Sequence, residues 1–121
     1  MSGLDLVGRD QHLASIHLRV GALLLARAEL EALVARDLLD PAGLADLAEA
    51  RWRTGDLERA AESATAHLDA GGDRPVARVI AAEAAAAAGR AEEARAHVAA
   101  LGALSVAELE ALFAGMPQRA A

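Results

Sequence analysis

Four histidines, His12, His17, His67 and His97, are the side chains here best suited to proton transfer or metal ligation. Their spacing serves neither. His12 and His17 are five residues apart, which on a helix turns them about 140° from one another. The Glu-x-x-His and His-x-x-x-His spacings that put two ligands on one helix face do not occur. Cysteine is absent, so the chain has no thiolate nucleophile, zinc–thiolate site or disulfide. There is no serine elbow, no phosphate-binding glycine loop followed by lysine, and no dinucleotide turn. Gly71-Gly72-Asp73 reads as a helix stop. Glu92-Glu93 and Glu108 with Glu110 fall near helix starts, where carboxylates complement the macrodipole. The expectation is a chain that is not an enzyme and binds no metal or cofactor.

What remains is recognition chemistry. Trp52, the only tryptophan, is followed by Arg53, and these two types are the most enriched at interface hot spots. The net charge of −6 argues against nucleic acid, because phosphate binding needs a basic face. It also disfavours an anionic membrane. The longest apolar run, 13–26, is interrupted by His17 and Arg19 and is too short to span a bilayer. The start lacks a basic stretch followed by an apolar core, so a cytoplasmic protein is expected. Alanine exceeds a quarter of the 121 residues and every basic side chain is Arg or His, which points to a GC-rich, bacterial coding sequence.

These residues must be positioned by helices. Ala, Leu, Glu and Arg dominate, while β-branched and aromatic residues are scarce. Helices are predicted over 7–20, 22–39, 41–54, 57–70, 75–88 and 90–101, with a last one over 105–114. Gly21, Gly55, Gly71-Gly72 and Gly89 stop them, and Asp40-Pro41, Asp56 and Ser105 start them. Ser105 to Glu108 has the spacing of a capping box.

Gly21, Gly55 and Gly89 recur at equal spacing. Ala14, Ala48 and Ala82 precede them by seven; Ala26, Ala60 and Ala94 follow by five; Leu23, Leu57 and Ala91 follow by two. Two helices per repeat of about 34 residues, joined at a glycine, resemble the tetratricopeptide repeat (TPR) family. The middle repeat matches best: Leu44, Leu47 and Ala48 fall on the family's W-x2-L-G segment, Gly55-Asp56-Leu57 on its turn and Ala60 on its small residue. The third repeat keeps Gly89-Arg90-Ala91 and Ala94, and the first keeps Leu13, Ala14, Gly21, Leu23 and Ala26. Several expected aromatics are replaced by Leu or Ala, and the closing prolines, Pro41 and Pro75, fall three residues late. The resemblance implies one all-α domain over 1–121, a right-handed helix-turn-helix solenoid. Its repeats lie at about 7–40, 41–74 and 75–104, with a C-terminal capping helix at about 105–115, because a solenoid must close its last repeat.

The same resemblance implies a protein or peptide partner on the concave face, lined by the first helix of each repeat. By register the groove residues are Gln11, Ser15, Leu18 and Arg19, then Glu49, Trp52 and Arg53, then Val79 and Glu83. Trp52 stands either there or in the core between repeats. The family members that bind chaperone C-terminal carboxylates use Lys and Asn in this groove. Neither residue occurs here, which argues against that ligand class. A second expectation is self-assembly. Glu58-Arg59 and Glu92-Glu93 follow the turn in repeats two and three, but in repeat one the register carries Leu24-Leu25. With Leu38 and Leu39 they form an apolar patch expected to be covered, by a second copy in a homodimer, by another protein, by a further N-terminal part of the chain or by the segment before Val7 folding back.

Overall fold

The computed structural model describes residues 3–102 and 106–113. Seven helices run through them, with no strand among the described residues: α1 (Gly3–Arg19), α2 (Leu23–Val34), α3 (Pro41–Arg53), α4 (Leu57–Asp69), α5 (Pro75–Ala87), α6 (Ala91–Leu101) and α7 (Val106–Phe113). The first six pair as successive hairpins, and each second helix also packs on the first helix of the next hairpin. This is the all-helical repeat solenoid expected from the even spacing of the glycines. Among the described residues no helix is long and apolar enough to cross a membrane.

The turns share one backbone device. At the end of α1 the Gly21 N–H donates to Leu18 O at 3.2 Å and the Ala22 N–H to His17 O at 2.8 Å. This pair of bonds satisfies two orphan carbonyls and needs a left-handed residue, which Gly21 provides at φ 86°. Gly55, Gly71 and Gly89 do the same. So does Asp37 at φ 54°, with the Asp37 N–H on Val34 O and the Leu38 N–H on Leu33 O. α2 therefore ends at Val34, five residues before its predicted end, because Asp37 tolerates the left-handed region. α1 begins earlier than predicted, at Gly3.

Starts follow the expected chemistry. The Asp40 carboxylate accepts from the Gly43 N–H at 2.8 Å, with Pro41 at the first helical position. Asp56 accepts from the Arg59 N–H at 3.2 Å. The Ser105 cap and the closing Gly115-Met116-Pro117 lie outside the described residues, as do the side chains of Val106, Leu109, Leu112 and Phe113.

The core consists of two clusters, one at each junction between hairpins. Ala14, Leu18, Ala26 and Leu30 meet Leu47 and Ala50 at the first. Ala48, Trp52, Ala60 and Ala64 meet Val76, Ala77 and Ile80 at the second. The recurrent alanines of the first two repeats, Ala14, Ala26, Ala48 and Ala60, are sealed, because larger side chains would push the helix axes apart, whereas Ala82 and Ala94 of the third are only partly buried. Leu18, Leu30, Leu47 and Ile80 are fully buried, and each contributes about 1.5–3 kcal/mol.

His67 is buried. Its Nε2 accepts the Arg74 N–H at 3.1 Å, so the ring proton sits on Nδ1 and is donated to Pro41 O at 2.6 Å. One imidazole thus links the start of α3 to the start of α5.

Candidate functional site

The first helices of the three hairpins lie side by side, with α3 packed on both α1 and α5. Across them runs a cleft of about 480 Å³, lined by Arg19, Glu49, Arg74, Pro75 and Val76, with Glu108 and Ala111 of α7. Beneath it is the nearly sealed carboxylate of Asp46. The Arg74 guanidinium donates to Asp46 Oδ1 at 3.0 Å, and Arg19 Nη2 lies 3.9 Å from the same oxygen. Arg53 is matched by Glu49 at 3.1 Å. Arg19 and Arg74 stand in this lining over the carboxylates of Asp46 and Glu49. Glu108 brings a further carboxylate to the same cleft.

The predicted groove residues divide. Arg19, Glu49 and Arg53 meet at this face. Ser15 and Val79 are partly exposed. Gln11 is engaged internally: its side chain donates to Asp40 Oδ1 at 2.7 Å and accepts from the Asp40 N–H at 3.2 Å. Glu83 accepts the Trp52 indole N–H at 2.9 Å. Leu18 and Trp52 are corrections. Leu18 is fully buried and Trp52 is 3% exposed, each in a junction core, so neither offers a surface to a partner. The reason is periodic: Trp52 holds the position in repeat two that Leu18 holds in repeat one. It follows Ala48 by one helical turn, on the face that meets the next hairpin.

Sequence reasoning missed Asp46 and Arg74. A signal existed for Arg74. It holds the cap position that Asp40 holds one repeat earlier, and a guanidinium cannot accept the cap hydrogen bond, so its side chain is released to reach Asp46.

On another side, the two junctions differ. Between α2 and α3, Arg27 bonds Glu31, Asp56 (2.7 Å) and Thr54 (2.9 Å), and Arg51 donates to Ser63 Oγ at 2.6 Å. The hydrogen bond to Glu31 raises the Arg27 pKa above its ordinary value. Burial alone would push Glu31 and Asp56 up. Arg27 and Arg51 outweigh it at Glu31, and the Arg59 N–H with Arg27 outweighs it at Asp56, so both carboxyls lie below their ordinary values. At the next junction the register replaces Arg27, Arg51 and Thr54 by Ala61, Ala85 and Ala88. There an open cleft of about 870 Å³ is lined by Leu57, Glu58, Ala61, Glu62, Ala87 and Ala88 among others.

No family model, no curated protein and no solved structure matches this chain. The solenoid geometry and the side chains on it therefore carry the functional reading.

Of the apolar patch, Leu24 is 74% and Leu25 50% exposed, while Leu38 is half-buried. Leu39 is likewise half-buried and packs in part against the first core cluster.

Proposed function

We propose that this chain is a non-catalytic, TPR-like interaction module that holds an acidic protein or peptide segment against its concave face. One observation carries the reading. Arg19 of α1 and Arg74 at the N-cap of α5 converge on a single carboxylate of α3, and both guanidinium groups remain substantially exposed, at 58% and 41%. An arginine shared with a buried carboxylate is held in place and still has donors to offer a second acceptor.

The test is selection from a random peptide library, followed by fluorescence anisotropy on the selected sequences. Enrichment of Asp and Glu is expected. Arg74→Ala and Arg19→Ala should each weaken binding by about tenfold, roughly 1.4 kcal/mol, and Glu108→Gln should strengthen it. Selected peptides that ignore both arginine substitutions would overturn the concave assignment.

A second reading is lateral homodimerisation through repeat one. It rests on Leu24 and Leu25, exposed where repeats two and three carry charge. A partner surface over them would recover roughly 1.5–3 kcal/mol each. Leu24→Glu with Leu25→Arg restores the charge pattern and should lower the solution mass of a dimer to that of a monomer. A wild-type protein already monomeric at high micromolar concentration would sink this reading.

A further inference from the structure

Repeats two and three each bury one face against the repeat before them. On α3 that face includes Gly43, Leu47 and Ala50; on α5 it includes Val76, Ala77 and Ile80. Shifting the α3 face back by one repeat places it on α1 as Arg9, Leu13 and Ile16, with Val20 one turn further. All four are exposed, Val20 at 72%.

The last repeat shows the opposite half. Ala26 and Leu30 on α2, and Ala60 and Ala64 on α4, are sealed against the helix that follows. By register they become Ala94 and Val98 on α6. No α6 residue is buried, and Val98 is 57% exposed. Among the described residues α7 does not pack broadly on α6, and its Glu108 and Ala111 line the concave cleft. On the first helices, Leu18 and Trp52 fill the junction ahead; Ala86 takes their place and is exposed.

The two open faces are the two halves of one junction, and their sizes compensate. Where Leu18 or Trp52 projects forward inside the array, the facing helix offers Ala50 or Ala77 among its larger residues. At the open ends the forward face has shrunk to Ala86, and the backward face has grown to Ile16 and Val20. Close packing at a junction depends on this sum of volumes. We propose that the face of α1 in one copy packs on α6 of a second copy, so that the array continues head to tail. Such a contact is heterologous and extends without closing on a two-fold axis. It uses different residues from the lateral patch, since the positions of Leu24 and Leu25 are exposed in all three repeats.

The test is a mixing experiment in the Leu24→Glu/Leu25→Arg background, which removes lateral pairing. Ile16→Glu blocks the backward face and Val98→Glu blocks the forward face. By light scattering, the background protein should gain mass with concentration, and each blocked variant should stay at the 12.4 kDa of one chain. Their equimolar mixture should reach twice that mass and stop, because each variant retains the face that the other has lost. Both sites are exposed, so the helical circular dichroism spectrum should persist. If a glutamate variant unfolds, Ile16→Gln and Val98→Gln take its place. A background protein that is monomeric at high micromolar concentration overturns the proposal. So does a Val98→Glu variant that assembles as its parent does, which would mean an α1-to-α1 contact, or a mixture that remains monomeric.

Discussion

Trp52 of α3 donates its indole N–H to Glu83 of α5 across the second junction, at 2.9 Å. The ring is sealed among Ala48, Ala60, Ala64, Val76, Ala77 and Ile80, and its one polar atom is satisfied by the neighbouring repeat. A buried tryptophan requires that partner, and here the bond also sets the register between two hairpins.

Trp52→Ala is therefore a stability variant. It should lower the unfolding free energy by about 3–5 kcal/mol, through lost burial and a cavity that alanine neighbours cannot fill. Trp52→Phe keeps most of the apolar volume and gives up the bond to Glu83, so it should cost less, about 1–2 kcal/mol. Urea denaturation followed by circular dichroism measures both. An unchanged midpoint in Trp52→Ala would contradict the core assignment.

A second prediction concerns His67 and Gly72. A Cβ built on Gly72 would collide with the imidazole ring. Gly72→Ala should cost about 1–3 kcal/mol by overpacking. His67→Ala should also destabilise, since it frees the Arg74 N–H and the Pro41 carbonyl from their partner. The double variant is the sharper measurement. Without the ring, a methyl group at position 72 has room, so the two losses should fall short of additive. Strict additivity would mean that the ring is not what excludes a side chain at Gly72.

The periodicity of small residues made the fold legible. Gly21, Gly55 and Gly89 mark the hairpin turns, and the alanines at fixed offsets mark where helices approach closely. The end of α2 was misjudged because Asp37 takes the place of a glycine. Its counterpart one repeat on is Gly71, so the register held the answer where composition did not. The candidate site was less legible. Register places side chains on a helix face but does not say which neighbour claims them. Gln11 is claimed by Asp40 and Glu83 by Trp52, while Arg19 from α1 and Arg74 from the N-cap of α5 are drawn to Asp46. Those pairings depend on how hairpins stack, which no local pattern reports.

Stability should respond to acid through the Arg27 cluster. Glu31 and Asp56 have pKa values below those of unfolded carboxylates. Depressed values mean that their contribution is fully present above the unfolded values, about pH 4–4.5, and is lost as pH falls through the folded ones. The thermal midpoint should thus hold from neutral pH to about pH 5 and decline below about pH 4. Arg27→Leu removes the one group that lowers both carboxyls, leaving Arg51 at Glu31 and the Arg59 N–H at Asp56 to oppose burial. Its stability at neutral pH should drop by on the order of 1 kcal/mol after solvent screening, and its acid decline should begin at higher pH. Parallel pH profiles for wild type and variant would refute the linkage.

The last prediction tests the turn that the register links to Gly71. Asp37 is exposed and adopts φ 54°, in the left-handed region where a Cβ is disfavoured. Its side chain makes no hydrogen bond among those of the described residues. Asp37→Gly should therefore raise stability, by up to about 1 kcal/mol, because relief of the strained conformation outweighs the extra freedom glycine brings to the unfolded chain. The converse substitution, Gly71→Ala, puts a Cβ where φ is 90° and should cost about 1 kcal/mol or more. Space is not the obstacle, since nothing lies within 4 Å of a Cβ there. The measurement is a pair of urea midpoints with unchanged slope. A loss of stability in Asp37→Gly would show that the aspartate holds this turn by more than its backbone angle.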